Sequence, residues 1–224
     1  VYVVYGSTNT ITDFTAADVI DGTQDGFTLY GRDASDRFGN AIHSAGDMNG
    51  DGYGDYFVAA HQANAGETNN GEVFVFFGSA DLDDINLDLT TLDGSNGFEI
   101  IGDNDSDYLG SNFTSDNSYK SGNSLSGGGD LNGDGYDDII VGARLQDANG
   151  SSSGAAYVLY GKASGFSNID LGTTLDGSNG FKISGGAANQ KIGEAISLTG
   201  DVNGDGYADI IVNNHADNEA IVIF

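Results

Sequence analysis

The 224-residue chain contains no cysteine and no proline, and it has only 7 Lys and Arg residues against 34 Asp and Glu residues. Without cysteine there can be no disulfide, no thiol catalysis and no Cys-based zinc or iron–sulfur site. The formal net charge of −27 argues against nucleic acid and anionic membrane surfaces as partners, because phosphate binding needs clustered Lys and Arg. No run of 18 apolar residues occurs, so membrane insertion is not expected.

Glycine is abundant, at 36 residues, which is about twice its usual share. Aspartate accounts for 29 of the 34 acidic residues. Clusters of Gly, Asp, Asn and Ser separate short apolar runs, and this pattern is typical of a chain with many strands and turns. No stretch fits the periodicity of a helix convincingly. The sequence therefore predicts an all-β fold.

An internal repeat organises the chain. A nine-residue motif, Asp-x-Asn-Gly-Asp-Gly-Tyr-x-Asp, begins at Asp47 and recurs at Asp130 and Asp201. The two offsets, 83 and 71 residues, differ by 12. The extra residues stand between Gly110 and the second motif, so we interpret residues 111–122 as an insertion in the second repeat.

Each repeat is predicted to contain four strands, which we term segments A to D. In the first complete repeat these are residues 38–46, 56–60, 72–77 and 98–102, which are rich in Val, Ile, Phe and Tyr and bounded by Gly, Asp and Asn. Segment C is nearly all apolar, as expected for a strand buried on both faces. Four antiparallel strands per repeat predict about three β-propeller blades, with the nine-residue motif between the first two strands of each.

We expect a single repeat domain over residues 1–224. Residues 1–31 would be the end of one repeat, 32–102 a repeat, 103–185 a repeat with the insertion, and 186–224 an incomplete repeat. Propellers typically have four to eight blades. The hypotheses are therefore a segment of a longer array or a unit that closes only with other copies, with a closed three-blade monomer as the alternative.

The nine-residue motif predicts a calcium-binding loop. Oxygen-bearing side chains stand at positions 1, 3, 5 and 9, position 7 offers a backbone carbonyl, and glycine at position 6 permits a sharp turn. Position 12 holds Val58, Val141 and Val212, where an EF-hand needs Glu, so that interpretation fails. Magnesium suits such a loop less well because it retains water. Solvated turns without a metal are the alternative.

The sequence around these loops resembles the FG-GAP repeats of integrin α-chain β-propellers and of many secreted bacterial proteins. The resemblance rests on Phe38-Gly39 before the first loop and Val58-Ala59-Ala60 after it. The later copies keep the glycine, as Leu109-Gly110 and Ile192-Gly193. The last position of the GAP box is never proline here, since it holds His61, Arg144 and His215.

The resemblance implies a structural role for calcium, with about three ions bound by loops that join the first two strands of each blade. The ligands it implies are Asp47, Asn49, Asp51, Tyr53 and Asp55; Asp130, Asn132, Asp134, Tyr136 and Asp138; and Asp201, Asn203, Asp205, Tyr207 and Asp209.

The sequence offers little for catalysis. His61 and His215 occupy equivalent repeat positions with Arg144 in register between them, which indicates a shared structural position. No P-loop or His-x-x-x-His pair occurs. Acidic pairs at residues 83–84 and 103–107 could serve as glycosidase carboxylates, but turns also favour Asp, and residues 103–107 could instead hold a weak cation. We expect no enzyme.

The insertion at residues 111–122 is the segment that departs most from the repeat pattern. It carries Phe113, Tyr119 and Lys120 and a glycosylation sequon at Asn112, and a second sequon begins at Asn149. Aromatic side chains on a loop suggest a contact surface, and a tolerated surface insertion remains the alternative.

The sequence therefore predicts a non-enzymatic, extracellular or cell-surface calcium-binding propeller module for adhesion, with a protein or glycan ligand. One alternative is a self-assembling subunit of a filament or surface layer, in which unpaired end strands join copies of the chain. A second alternative is the accessory propeller of a secreted hydrolase.

Overall fold

The structure is a computed structural model that describes residues 1–6, 15–20, 26–65, 67–80, 89–111, 123–173 and 175–224. These residues form fourteen strands, one five-residue helix and a single turn of 3-10 helix at Leu89–Thr91. The chain is therefore all-β, as predicted. None of the helical structure in these ranges is long enough to cross a bilayer.

The strands form four sheets that follow one another along the chain, and the two complete sheets repeat the order A to D. Sheet 1 contains β1 (Tyr2–Val4) and β2 (Gly26–Thr28), with helix α1 (Ala16–Ile20) between them in sequence; sheet 2 contains β3 (Phe38–Gly46), β4 (Asp55–Ala60), β5 (Glu72–Phe76) and β6 (Gly97–Ile101); sheet 3 contains β7 (Leu125–Gly129), β8 (Asp138–Ala143), β9 (Ala155–Leu159) and β11 (Gly180–Ser184); sheet 4 contains β12 (Ile196–Leu198), β13 (Ile210–Asn214) and β14 (Glu219–Ile223).

The predicted segments A to D correspond to β3, β4, β5 and β6 to within one residue at each end. All pairs among these strands of the four sheets are antiparallel. Two elements were not predicted. Helix α1 is too short to show a helical period, and β10 (Ile169–Asp170) pairs with β6 in parallel through only two residues.

Successive sheets pack face to face, and alternation along each inner strand assigns its side chains to two different cores. In β4, Phe57 and Ala59 belong to the core between sheets 2 and 3, whereas Val58 and Ala60 belong to the core between sheets 1 and 2. Every residue of β5 and β9 is buried. This two-sided burial explains why segment C is apolar without alternation.

The sheets form an open array within the described residues. Three hydrophobic clusters join sheet 1 to sheet 2, sheet 2 to sheet 3 and sheet 3 to sheet 4, and none of them combines side chains of sheets 1 and 4. The described residues thus form propeller-like sheets without a closed ring.

An ion pair occupies the same position at two successive sheets, with its charges exchanged. Arg32, just after β2, donates Nη1 and Nη2 to the Glu99 carboxylate at 2.9 and 3.0 Å. One repeat later, Asp103 accepts from Lys182 Nζ at 3.2 Å. Arg32 corresponds in register to Asp103, and Glu99 to Lys182.

Candidate metal centres

Each nine-residue loop connects the first two strands of its sheet. Residues 47–55 lie between β3 and β4, residues 130–138 between β7 and β8, and residues 201–209 between β12 and β13. The glycines at positions 4 and 6 adopt left-handed backbone conformations in every copy, with φ of 72° and 91° at Gly50 and Gly52. A residue with a Cβ would be strained at these positions, so the Asn-Gly-Asp-Gly sequence fixes the turn.

The first aspartate of each loop organises the turn by accepting backbone hydrogen bonds. Asp47 Oδ1 accepts from the N–H groups of Gly50 and Asp51 at 2.8 and 3.1 Å, and Oδ2 accepts from Gly52 at 2.9 Å. Asp130 and Asp201 make the same three contacts. Hydrogen bonds from Gly206 and other backbone N–H groups lower the pKa of Asp201.

Positions 3 and 5 form a second layer nearer the surface. Asn49 Nδ2 donates to Asp51 Oδ2 at 2.9 Å, while Asp51 Oδ1 accepts from the Tyr53 N–H at 2.8 Å. The same pair of contacts occurs in the second and third loops. The loops thus share one conformation, and the oxygens at positions 1, 3 and 5 stand at the surface.

Position 9 differs from the other three because its carboxylate is buried beneath the loop. Asp55 Oδ2 accepts from the Met48 N–H and Oδ1 from the Gly78 N–H, both at 2.8 Å. Asp138 likewise accepts from Leu131 and Gly161. Burial raises the pKa of Asp55 to about 6 and that of Asp138 to about 7.

The third copy of position 9 lacks one of these donors. Asp209 Oδ2 accepts from the Val202 N–H at 2.6 Å, but its buried Oδ1 has no hydrogen-bond partner among the described residues. Sequence analysis did not identify Gly78 and Gly161 as donors. The repeat pattern could have identified them, because each glycine stands at the same repeat position, two residues beyond the third strand of its sheet.

The donor set fits a hard cation chemically, since each loop offers three carboxylates, one amide oxygen and a backbone carbonyl. In this arrangement, however, no three His, Cys, Asp or Glu side chains of the described residues converge on one point. The predicted ligands of each loop lie in one turn, where position 5 is exposed, positions 1 and 3 are partly or fully exposed, and position 9 is buried.

Adjacent loops contact one another. The Tyr136 ring lies against Gly50, where a Cβ would stand 2.6 Å from Tyr136 Cε1, and Tyr207 lies against Gly133 in the same way. The Asp137 N–H donates to Asp47 O at 3.2 Å, and the matching bond one repeat later measures 2.9 Å. The loops therefore line one end of consecutive sheets as a connected row.

The three equivalent repeat positions 61, 144 and 215 differ in their surroundings. His61 and Arg144 are buried, whereas His215 is half exposed beside Glu194. Burial, with smaller effects of Arg37 and Arg144, lowers the pKa of His61 to about 4. His61 is thus a buried neutral ring.

The acidic stretch at residues 103–107 borders a pocket of about 660 Å³ together with Lys182. Asn149 Nδ2 donates to Gly185 O at 2.8 Å, so the second sequon is tied to the end of β11. Residues 83–84 and the insertion at 112–122, including Phe113 and Tyr119, lie outside the described residues.

Repeated four-stranded sheets with an acidic turn between the first two strands define a β-propeller-like repeat module. A family profile, described as the FG-GAP repeat, matches residues 38–76, 121–159 and 193–224. The chain therefore belongs to the FG-GAP repeat proteins. FG-GAP repeats are typical of extracellular proteins. A comparison with curated proteins found no match.

Proposed function

We propose that this chain is a non-enzymatic, extracellular calcium-binding module that presents a surface for a protein or glycan ligand at the cell surface. The observation that carries the proposal is the threefold recurrence of one loop conformation with the same oxygen-bearing side chains in each sheet. Its membership of the FG-GAP repeat proteins supports the extracellular setting, where calcium is plentiful.

The role of the ion follows from the charge of the loops. Each loop holds at least three aspartates within nine residues, and like charges at this spacing repel one another unless a dication neutralises them. Asp51 and Asp47 also contribute to the raised pKa of Asp55, after its burial. Calcium would draw positions 1, 3 and 5 together over position 9 and so fasten the first two strands of each sheet.

We expect calcium to stabilise the fold, because an ion that binds only the folded state stabilises it by about 2.7 kcal/mol at a hundredfold excess over Kd. Asp134→Asn keeps the acceptor for the Tyr136 N–H and removes one charge, so it should reduce the number of bound ions from about three by one. The measurements are isothermal titration with calcium and thermal unfolding with calcium or chelator.

Asp93→Asn is the matched control. Asp93 is an exposed turn aspartate outside the loops that accepts from Ser95 N and Oγ at 2.9 and 2.6 Å. It should leave the calcium stoichiometry unchanged. An unfolding temperature that is the same in calcium and in chelator would contradict the proposed structural role, and equal binding of magnesium would contradict the choice of metal.

The non-enzymatic part of the proposal is supported by His61, which is buried and neutral. His215, at the equivalent repeat position, is half exposed, so the two histidines do not share one environment.

A second candidate function is self-assembly. It is favoured by β14, which has no partner on its outer edge among the described strands. An exposed strand edge is a template for pairing with another chain.

A further inference from the structure

The first two loops are joined by a side chain as well as by the backbone. Position 8 of the second loop is Asp137, whose Oδ2 accepts from the Asp47 N–H at 2.8 Å. The Asp137 N–H in turn donates to Asp47 O at 3.2 Å. One residue of the second loop therefore holds both backbone groups of Asp47, which is the first predicted ligand of the first loop.

The absence of a side chain at Gly46 leaves room for this contact. A Cβ at Gly46 would stand 2.2 Å from Asp137 Oδ2, which is well inside van der Waals contact. Sheet 3 holds the same turn through a second bond, because the Lys162 N–H donates to Met48 O at 2.8 Å. The beginning of the first loop is thus positioned by the neighbouring sheet.

The second and third loops share only the backbone part of this link. The Ala208 N–H donates to Asp130 O at 2.9 Å, as Asp137 does to Asp47. Ala208 stands at position 8 of the third loop, and an alanine side chain has no atom that could accept the Asp130 N–H. The bond made by a carboxylate at position 8 is therefore a property of the first pair of loops.

The link also brings negative charges together. The first loop contains three aspartates, and the second contains four because Asp137 is added to the three predicted ligands. Like charges at this spacing repel one another, so the link should be weakest when neither loop is neutralised. Asp137 lies directly between Tyr136 and Asp138, the predicted ligands at positions 7 and 9. Binding that fixes these two residues should therefore also fix the bond to Asp47.

We propose that Asp137 is a positioning residue that couples the first two loops, so that the first loop binds calcium more tightly when the second is occupied. Coupling between two sites is reciprocal, so an occupied first loop favours binding at the second by the same factor. The third loop, which lacks the carboxylate link, is coupled more weakly. This inference rests on calcium binding, which is part of the proposed function.

Two substitutions of Asp137 test the positioning role. Asp137→Ala removes the acceptor of the Asp47 N–H and should raise the Kd of the first loop by about fivefold or more. Asp137→Asn keeps an acceptor in its amide oxygen and removes the charge, so the Kd of the first loop should stay within about twofold of that of the unchanged chain.

The measurement is a calcium titration followed by nuclear magnetic resonance. The amide resonances of the glycines at position 6 report the three loops separately: Gly52, Gly135 and Gly206. The third loop is the internal control, since its Kd should be the same in all variants. That result would also show that each variant is folded.

A double-mutant cycle tests the coupling itself. Asp134→Asn weakens calcium binding at the second loop, and with Asp137 present it should raise the Kd of the first loop by about fivefold. In the Asp137→Ala background, the same substitution should change this Kd by less than about twofold. The loss of one charge acts through space in both backgrounds, so the difference between them measures the link.

The outcomes separate this inference from the proposed function. An unchanged chain that binds no calcium at any loop would overturn both. If the chain binds calcium, an equal Kd of the first loop in the unchanged chain and in Asp137→Ala would overturn only the coupling. Equal weakening by Asp137→Asn and Asp137→Ala would show that the charge acts without the hydrogen bond, and would overturn the positioning role.

Discussion

At the residue scale, Arg32, Glu72 and Glu99 form a group that should make stability depend on pH. Both glutamates are nearly buried, and Arg32 binds Glu72 Oε2 at 3.1 Å in addition to the Glu99 carboxylate. Burial, followed by the charge of Glu99, raises the pKa of Glu72 to about 7 from an ordinary value of 4.5. One arginine thus serves two buried carboxylates.

The sign of the pH dependence follows from this shift. A carboxyl whose pKa is higher in the folded state binds its proton more tightly there, so its contribution is full below pH 4.5 and is lost as the pH rises to about 7. Glu72→Gln cannot ionise. As the pH rises from 5 to 8, the free energy of unfolding of this variant, relative to that of the unchanged chain, should increase by on the order of 1–3 kcal/mol.

Chemical denaturation at several pH values measures this difference. Glu67→Gln, at an exposed position, is the control and should follow the unchanged chain. Glu99→Gln removes the carboxylate that both Nη atoms of Arg32 bind, so it should lower stability at neutral pH. Parallel pH profiles for Glu72→Gln and the unchanged chain would contradict the assignment.

At the element scale, Phe166 shows how a connection between strands seals two sheets together. Its ring stacks on Phe98 and lies beneath Lys162, whose Nζ is 5.1 Å from the ring centroid. Phe166→Ala should lower the free energy of unfolding by about 3–5 kcal/mol, since it empties a buried aromatic site. Phe224→Ala, at a side chain that is 73% exposed, is the control for equilibrium denaturation. Equal effects of the two substitutions would contradict the sealing role.

The sequence predicted the strands better than the contacts between them. The apolar segments and their glycine-rich turns are local signals, and the described strands confirm them. Phe166 stands in a segment with no strand pattern of its own, so nothing local indicated its place between two sheets. The loops show the same limit. Their shared turn was predicted, whereas the burial of Asp55 beneath it depends on Gly78, a donor 23 residues away.

At the scale of the whole molecule, the hydrophobic clusters of the described residues join each sheet only to its neighbours, so stability should be greatest in the middle of the array. Sheets 2 and 3 each have a neighbour on both faces, while sheets 1 and 4 have one. In dilute protein, amides of β5 and β9 should exchange most slowly and those of β1 and β14 fastest. Hydrogen exchange with mass spectrometry measures this order. Uniform protection along the chain would indicate a closed ring.

The exchanged charges of Arg32–Glu99 and Asp103–Lys182 have a consequence for how the chain reaches its fold. Tandem repeats of similar sequence can misfold by skipping a unit, so that a strand of one repeat docks in the sheet of another. If β11 took the place of β6 beside β5, Lys182 would stand against Arg32, and two cations would share a nearly buried position. The exchange of charges between the two ion pairs thus disfavours a skipped repeat. During synthesis β6 emerges before β11, and of these two strands only β6 carries the charge that matches Arg32.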